Sequence, residues 1–167
     1  MLGGFREIYF QVNADPLQQP TSYTMDGAGG LVISSGLRSF WGMYAIYGVG
    51  ANGQNSSLGL DLNPYDRVCL NFGSNDQPVS GGVQFYRAGA YATAPWYAPA
   101  STNPFSIGIP YRGPDSQFDT TTLPWDGVEQ FLVLLQVASA SAGNDLELDS
   151  ITLGACPFPA PPSGGAP

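Results

Sequence analysis

The side chains of this chain with chemistry to offer are four aromatic rings and two groups of carboxylates. Tyr91, Trp96 and Tyr97 fall in Ala88 to Pro104, a stretch of Ala, Pro, Ser, Thr and bulky aromatics, and Trp125 falls in the turn sequence Pro124-Trp125-Asp126-Gly127. Sugar rings present apolar C–H faces, so a flat exposed aromatic beside amide or carboxylate groups suits a glycan. The same rings could instead cap the open ends of a β-sandwich, burying large area while a polar tip stays wet. Asp145, Glu147 and Asp149 alternate along the chain and share one strand face if no bulge intervenes. With backbone carbonyls they offer the oxygen donors that Ca²⁺ takes as a structural ion, whereas an outward acidic face is otherwise simply solvated. Asp119, Asp126 and Glu129 lie close in sequence, as the two carboxyls of a glycosidase would need to lie in space. Glu129 stands at the start of a core-like strand, and solvated turn acids account for the group equally well.

Composition narrows the chemistry further. The chain has 167 residues, no His, and five basic residues, all Arg (Arg6, Arg38, Arg67, Arg87 and Arg112). Without His the usual general base at neutral pH and the commonest metal ligand are missing, and without Lys so is Schiff-base chemistry. Ser-based catalysis lacks its His, no G-x-S-x-G elbow occurs, and no cofactor-binding motif is present. A net charge of -8 repels phosphate backbones and anionic lipid, so a neutral glycan or a cation fits better than nucleic acid or a membrane surface. No apolar run is long enough to span a bilayer, and Met1 to Gly4 does not read as a secretory signal.

The elements that must position these groups read as strands. Hydrophobic content of 43% over this length fills one core, giving a single domain over 1-155 followed by a Pro/Gly-rich tail or linker over 156-167. Phe5 to Val12 alternates, Ser22 to Asp26 and Leu31 to Ser35 form a hairpin, and Ser39 to Tyr47 is apolar on both faces like a covered central strand. Leu58, Leu60 and Leu62 alternate, and so do Val68, Leu70 and Phe72 beyond the Asn63-Pro64-Tyr65-Asp66 turn. Val83 to Tyr86, Phe105 to Tyr111 and Phe131 to Val137 continue the series, with Ala88 to Pro104 and Gly113 to Gly127 as loops. In Asp145 to Leu153 the apolar parity shifts from Leu146 and Leu148 to Ile151 and Leu153, which predicts a β-bulge near Asp149-Ser150. Asn55-Ser56-Ser57 is a glycosylation sequon in a polar loop. Cys69 and Cys156 are either two separate, partly buried thiols or a bridge, which would close a long loop worth about 4 kcal/mol in the chain-entropy model.

Short strands with Gly, Pro and Asn turns and almost no helix indicate an all-β, two-sheet antiparallel sandwich. Leu2-Gly3-Gly4 with Arg6 and Ile8, LDLNPYDRVCLNF at Leu60 to Phe72, FDTTTLPWDGVEQF at Phe118 to Phe131 and DLELDSITL at Asp145 to Leu153 resemble the galactose-binding-like jelly-roll domains of bacterial exported proteins and carbohydrate-binding modules. The resemblance implies a non-catalytic extracellular or cell-surface module that binds carbohydrate or a cell-surface partner through its loops. It also implies one further strand ahead of Leu2, and often a sorting or anchor segment in place of the Pro/Gly tail. An incomplete sheet would favour a self-assembling structural subunit, an oligomer or filament completed by strand addition. A glycoside-active enzyme ranks last.

Overall fold

A computed structural model of the chain describes residues 6–25, 30–50, 54, 56–118, 123–137 and 143–161. Ten strands follow in order: β1 (Arg6–Ala14), β2 (Ser22–Met25), β3 (Leu31–Ser35), β4 (Phe40–Tyr47), β5 (Arg67–Asn75), β6 (Val79–Arg87), β7 (Ala90–Ala98), β8 (Phe105–Pro110), β9 (Gln130–Gln136) and β10 (Asn144–Leu153). They form two five-stranded antiparallel sheets, ordered β1-β4-β9-β6-β7 and β2-β3-β10-β5-β8. The pairing follows one rule: β6 pairs β7, β5 pairs β8, β4 pairs β9 and β3 pairs β10. The chain is therefore one long hairpin rolled over on itself, which is the jelly-roll sandwich expected from the sequence. Its tip is the two-residue turn Ala88-Gly89, whose φ values of 49° and 86° suit the right-handed twist of the flanking strands.

Alternation builds the core between the sheets. Trp41, Met43, Ala45 and Tyr47 of β4 point inward, as do Val68, Leu70 and Phe72 of β5 and Phe131, Val133 and Leu135 of β9, all buried. The outer positions of β4 do not share that burial: Tyr44 is 39% exposed and Phe40 and Ile46 are half-buried. The strand expected to be covered on both faces thus turns one face to solvent. Phe10 of β1 meets Tyr23 of β2 at 5.1 Å and Trp41 at 5.7 Å, closing that side of the sandwich.

Two segments depart from the sequence reading. Leu58 to Leu62 is not a strand paired with the next one. It runs beside residues 125–129, with Leu60 bridging Val128 and the Leu62 N–H donating to the Trp125 carbonyl, because Gly59 at φ 57° breaks the extended backbone. Ala88 to Pro104 is not one long loop, since Ala90–Ala98 is the edge strand β7. Its inward residues are Ala92, Ala94, Trp96 and Ala98, so the buried side reads as the less hydrophobic one. Pro95, which lacks a ladder N–H, is tolerated because β7 is paired on one side only. The β10 register does shift against β5 between Leu148 and Ser150, as the parity change requires. Asn55 of the sequon, the 26–29 turn of the first hairpin and Asp119 to Thr122 lie outside the described residues.

The two cysteines are bonded, with their Cα atoms 5.4 Å apart. Cys69 and Asn71 lie on the outer side of β5, yet both are buried, because the segment after β10 crosses them. Beneath it Asn71 Nδ2 donates to Ser150 Oγ and Thr152 Oγ1, and Ser106 Oγ donates to Asn71 Oδ1. The strap is stitched down by the Phe158 N–H on Ser106 Oγ and by the Ser106 N–H on the Pro159 carbonyl. Residues read as a tail or linker thus lie along the outer edge of β8 at Phe158 and Pro159. Replacing Cys156 by Ser frees an 87-residue separation, so we expect a loss of about 4 kcal/mol. That corresponds to a melting temperature lower by roughly 10 °C, and reductant applied to the native chain should reproduce the shift in thermal unfolding.

Candidate functional site

The outer face of β1-β4-β9-β6-β7 gathers the exposed rings of Tyr9, Tyr44, Tyr91 and Tyr97 together with several amides. Register sets its rows. Tyr9, Tyr44, Leu134, Gly82 and Pro95 lie side by side across the five strands, and Glu7, Ile46, Leu132, Gln84 and Thr93 form the next row. Gln11, Gly42, Gln136, Ser80 and Tyr97 make a third, and Gln130, Tyr86 and Tyr91 a fourth. Tyr91 is 59% exposed and Tyr97 40%, and they sit six residues apart on the edge strand, about 20 Å at strand rise. Tyr9 and Tyr44 stand on the far side, and β4 and β7 are three strand spacings, roughly 14 Å, apart. The floor between them is half-buried Leu132 and Leu134 with Gly82, which carries no side chain to fill it.

Apart from Glu7, the polar groups in these rows are neutral amides and hydroxyls. Gln84 Nε2 donates to Thr93 Oγ1 at 3.0 Å, a hydrogen bond between β6 and β7 that restrains the amide. Glu7 is the charged residue within the rows, at the β1 edge, where its carboxylate beside Tyr9 raises that phenol above its usual range. The face is therefore apolar, aromatic and amide-lined, a surface that can stack C–H faces and exchange hydrogen bonds with hydroxyls.

Of the residues singled out from sequence, Tyr91 and Tyr97 reach this face and Trp96 does not. Trp96 is 5% exposed and points into the core, 5.9 Å from the Phe72 ring. Period-two geometry forces this, because its neighbours Pro95 and Tyr97 take the outward positions. Its indole lies over Gly81, its cross-strand partner, where a Cβ would come within 2.5 Å of the ring and closer still to the Leu134 carbonyl. Trp125 is half-buried beyond the end of the sheet. It packs on Tyr111 at 4.7 Å and edge-on to Phe85 at 5.7 Å, within a cluster that includes Phe118. Sequence reasoning missed Tyr9, Tyr44, Gln84 and Gln136, which lie far apart in the chain and meet only through sheet register.

The acidic groups resolve differently. Asp126 pairs with Arg87, whose guanidinium also donates to the Asp126 carbonyl, and this pairing holds its carboxyl below the usual carboxylate range. Glu129 Oε1 accepts the Ala88 N–H at the hairpin tip. A general acid needs the opposite shift, upward from the ordinary range. Asp145 accepts from Ser34 Oγ, and the bulge separates it from Asp149. Glu147 and Asp149 instead flank Gly73, both within about 3 Å of where a Cβ would stand. Among the described residues no cluster of three His, Cys, Asp or Glu could hold a metal ion.

Fold and register define an antiparallel jelly-roll sandwich with one open, ring-lined sheet face. No protein-family model and no curated protein matches the sequence. Among solved structures it is similar to a family 11 carbohydrate-binding module from Clostridium thermocellum in complex with a β-1,3-1,4-mixed-linked tetrasaccharide. That match has 15% identity and a TM-score of 0.44 and covers 93% of this chain and 89% of that one. It is also similar to TmCBM61 in complex with β-1,4-galactotriose, at 5% identity and a TM-score of 0.45 over 87% of this chain and 86% of that one. PfGH50B matches at 14% identity with a TM-score of 0.51 over 91% of this chain, which spans 23% of that protein's length. The likeness is one of fold.

Two tests probe this architecture. Gly81→Ala should displace Trp96 and cost about 1–3 kcal/mol, read as a lower denaturation midpoint and red-shifted tryptophan fluorescence. The buried Tyr111 phenol donates to the Leu62 carbonyl, and burial raises its pKa far above the usual value of 10.0. The unfolded chain loses that proton first, so stability is full below pH 10 and falls above it. Tyr111→Phe should cost about 1 kcal/mol near neutrality and flatten the alkaline decline, as measured by urea unfolding across pH.

Proposed function

We propose that the chain is a non-catalytic, extracellular carbohydrate-binding module that lays a neutral glycan across the outer face of β1-β4-β9-β6-β7. Tyr91 and Tyr97 stack on sugar rings, Gln84 and Gln136 meet hydroxyls, and Trp96 and Trp125 act from behind by holding β7 and the hairpin tip. The observation that carries this reading is the convergence of exposed rings and neutral amides on one open face of a chain that is otherwise strongly acidic. The disulfide supports an oxidising, extracellular setting. Among the described residues no helix is long and apolar enough to cross a membrane. The downward-shifted, Arg-paired Asp126 speaks against its serving as the general acid of a glycosidase.

A second reading rests on β1, an edge strand of nine residues with neither Pro nor Lys to discourage pairing. Strand addition there would build the oligomer or filament of a structural subunit, and sedimentation at rising concentration separates that case from a monomer.

Affinity electrophoresis in gels containing a neutral mixed-linked glucan or a galactan should show retardation. Tyr91→Ala and Tyr97→Ala should each weaken it about tenfold, near 1.4 kcal/mol. Retardation that both variants leave intact, or none on any neutral polysaccharide, would count against the face as a glycan site.

A further inference from the structure

A second concavity lies on the other sheet's end, away from the tyrosine-lined face. It is an open groove of about 670 Å³, lined by Pro64, Tyr65, Asp66, Arg67, Arg112 and the Gly154–Cys156 segment. That volume is within the range of small-ligand sites. Two of the chain's five cations meet here, against a net charge of -8. Neither is a freely moving surface arginine. Arg112 donates through Nη1 to the Asn63 carbonyl at 2.8 Å and through Nη2 to Asn63 Oδ1, and its guanidinium lies 6.0 Å from the Tyr111 ring centroid. Arg67 is gripped by Asp66 through Nε and Nη2. Both leave guanidinium N–H donors unspent, since each group has five.

The groove walls are fixed as well. The Gly154 N–H donates to the Arg67 carbonyl at 2.9 Å, the Tyr111 N–H to the Asp66 carbonyl at 3.0 Å, and Cys156 is tied to Cys69. Gly154 takes a φ of 82°, and a Cβ there would approach the Tyr65 ring within 3.2 Å, so glycine lets the ring lie close on the backbone. Tyr65 remains 39% exposed. A flat ring beside two oriented guanidinium groups combines a stacking platform with planar, two-pronged oxyanion recognition.

We infer that this groove is a second binding site, for an acidic sugar residue whose carboxylate or sulfate sits between Arg67 and Arg112 while its ring packs on Tyr65. The site is independent of the neutral-glycan face, and a polysaccharide bearing occasional acidic units would engage both.

The test is calorimetric titration of the disulfide-bonded chain with polygalacturonate, with its fully methyl-esterified form and with a sulfated galactan. Polygalacturonate or the sulfated galactan should bind, the esterified form should bind at least tenfold more weakly, and affinity should fall as salt rises. Arg112→Ala and Tyr65→Ala should each reduce polygalacturonate affinity at least tenfold. Arg112→Lys keeps the charge but not the two-pronged grip; it should also lose affinity, with an unchanged melting temperature confirming that the fold survives. Equal binding of free and esterified polymer, binding of neither acidic polymer, loss with Tyr97→Ala rather than Arg112→Ala, or equal affinity for an oligoglutamate peptide would overturn the assignment.

Discussion

Trp96 lying over Gly81 sets the register of the edge strand β7, and that register decides which rings meet solvent. A strand's faces alternate with period two, so a slip of one residue would bury Tyr91 and Tyr97 and expose the indole. Little else on β7 could resist such a slip, because its other inward residues are alanines. The contact of Trp96 with Phe72, itself stacked on Phe105 at 5.0 Å, carries the constraint across the core to β5 and β8. One large side chain facing one missing side chain thus connects the interior of the sandwich to the surface proposed to bind ligand.

The rolled hairpin makes distant parts of the chain answer to each other. β3 pairs with β10 and β4 with β9, so the sheets form only when both arms of the hairpin are present. Such non-local pairing is slow and entropically costly, and the Cys69–Cys156 bond offsets part of that cost. The strap it anchors also helps bury Asn71 and Ser106, whose amide and hydroxyl would otherwise leave a polar patch on β5 and β8. The two sheets consequently present different outer surfaces, one open and tyrosine-lined, the other partly closed by the chain's own C-terminal segment.

Strong period-two alternation was legible: β5 read correctly because Val, Leu and Phe alternate with polar or smaller partners, β9 because its β-branched content argued against a helix where Leu132 and Leu134 blur the period, and the parity change in β10 announced its bulge. β7 was not legible, since its buried side is made of alanines and its exposed side carries the bulk. Leu58 to Leu62 misled for the converse reason: the pattern alternates, but Gly59 in the left-handed region takes the backbone out of a sheet. The site was half visible. Tyr91 and Tyr97 stood out as bulky aromatic residues in a stretch of Ala, Pro, Ser and Thr, whereas Tyr9, Tyr44, Gln84 and Gln136 join them only through pairings between strands far apart in sequence. Trp125 and the Arg87–Asp126 pair are near in space to the hairpin tip, which no local spacing discloses.

The central claim is that the open face of β1-β4-β9-β6-β7 is where a neutral glycan rests. It is tested most directly by following backbone amide resonances while a neutral oligosaccharide is titrated into the chain. The account predicts shifts concentrated at Tyr91 to Tyr97, Ser80 to Tyr86 and Gln130 to Gln136, with the strapped sheet silent. Shifts confined to the other sheet, or none at millimolar oligosaccharide across neutral glucans and galactans, would contradict it.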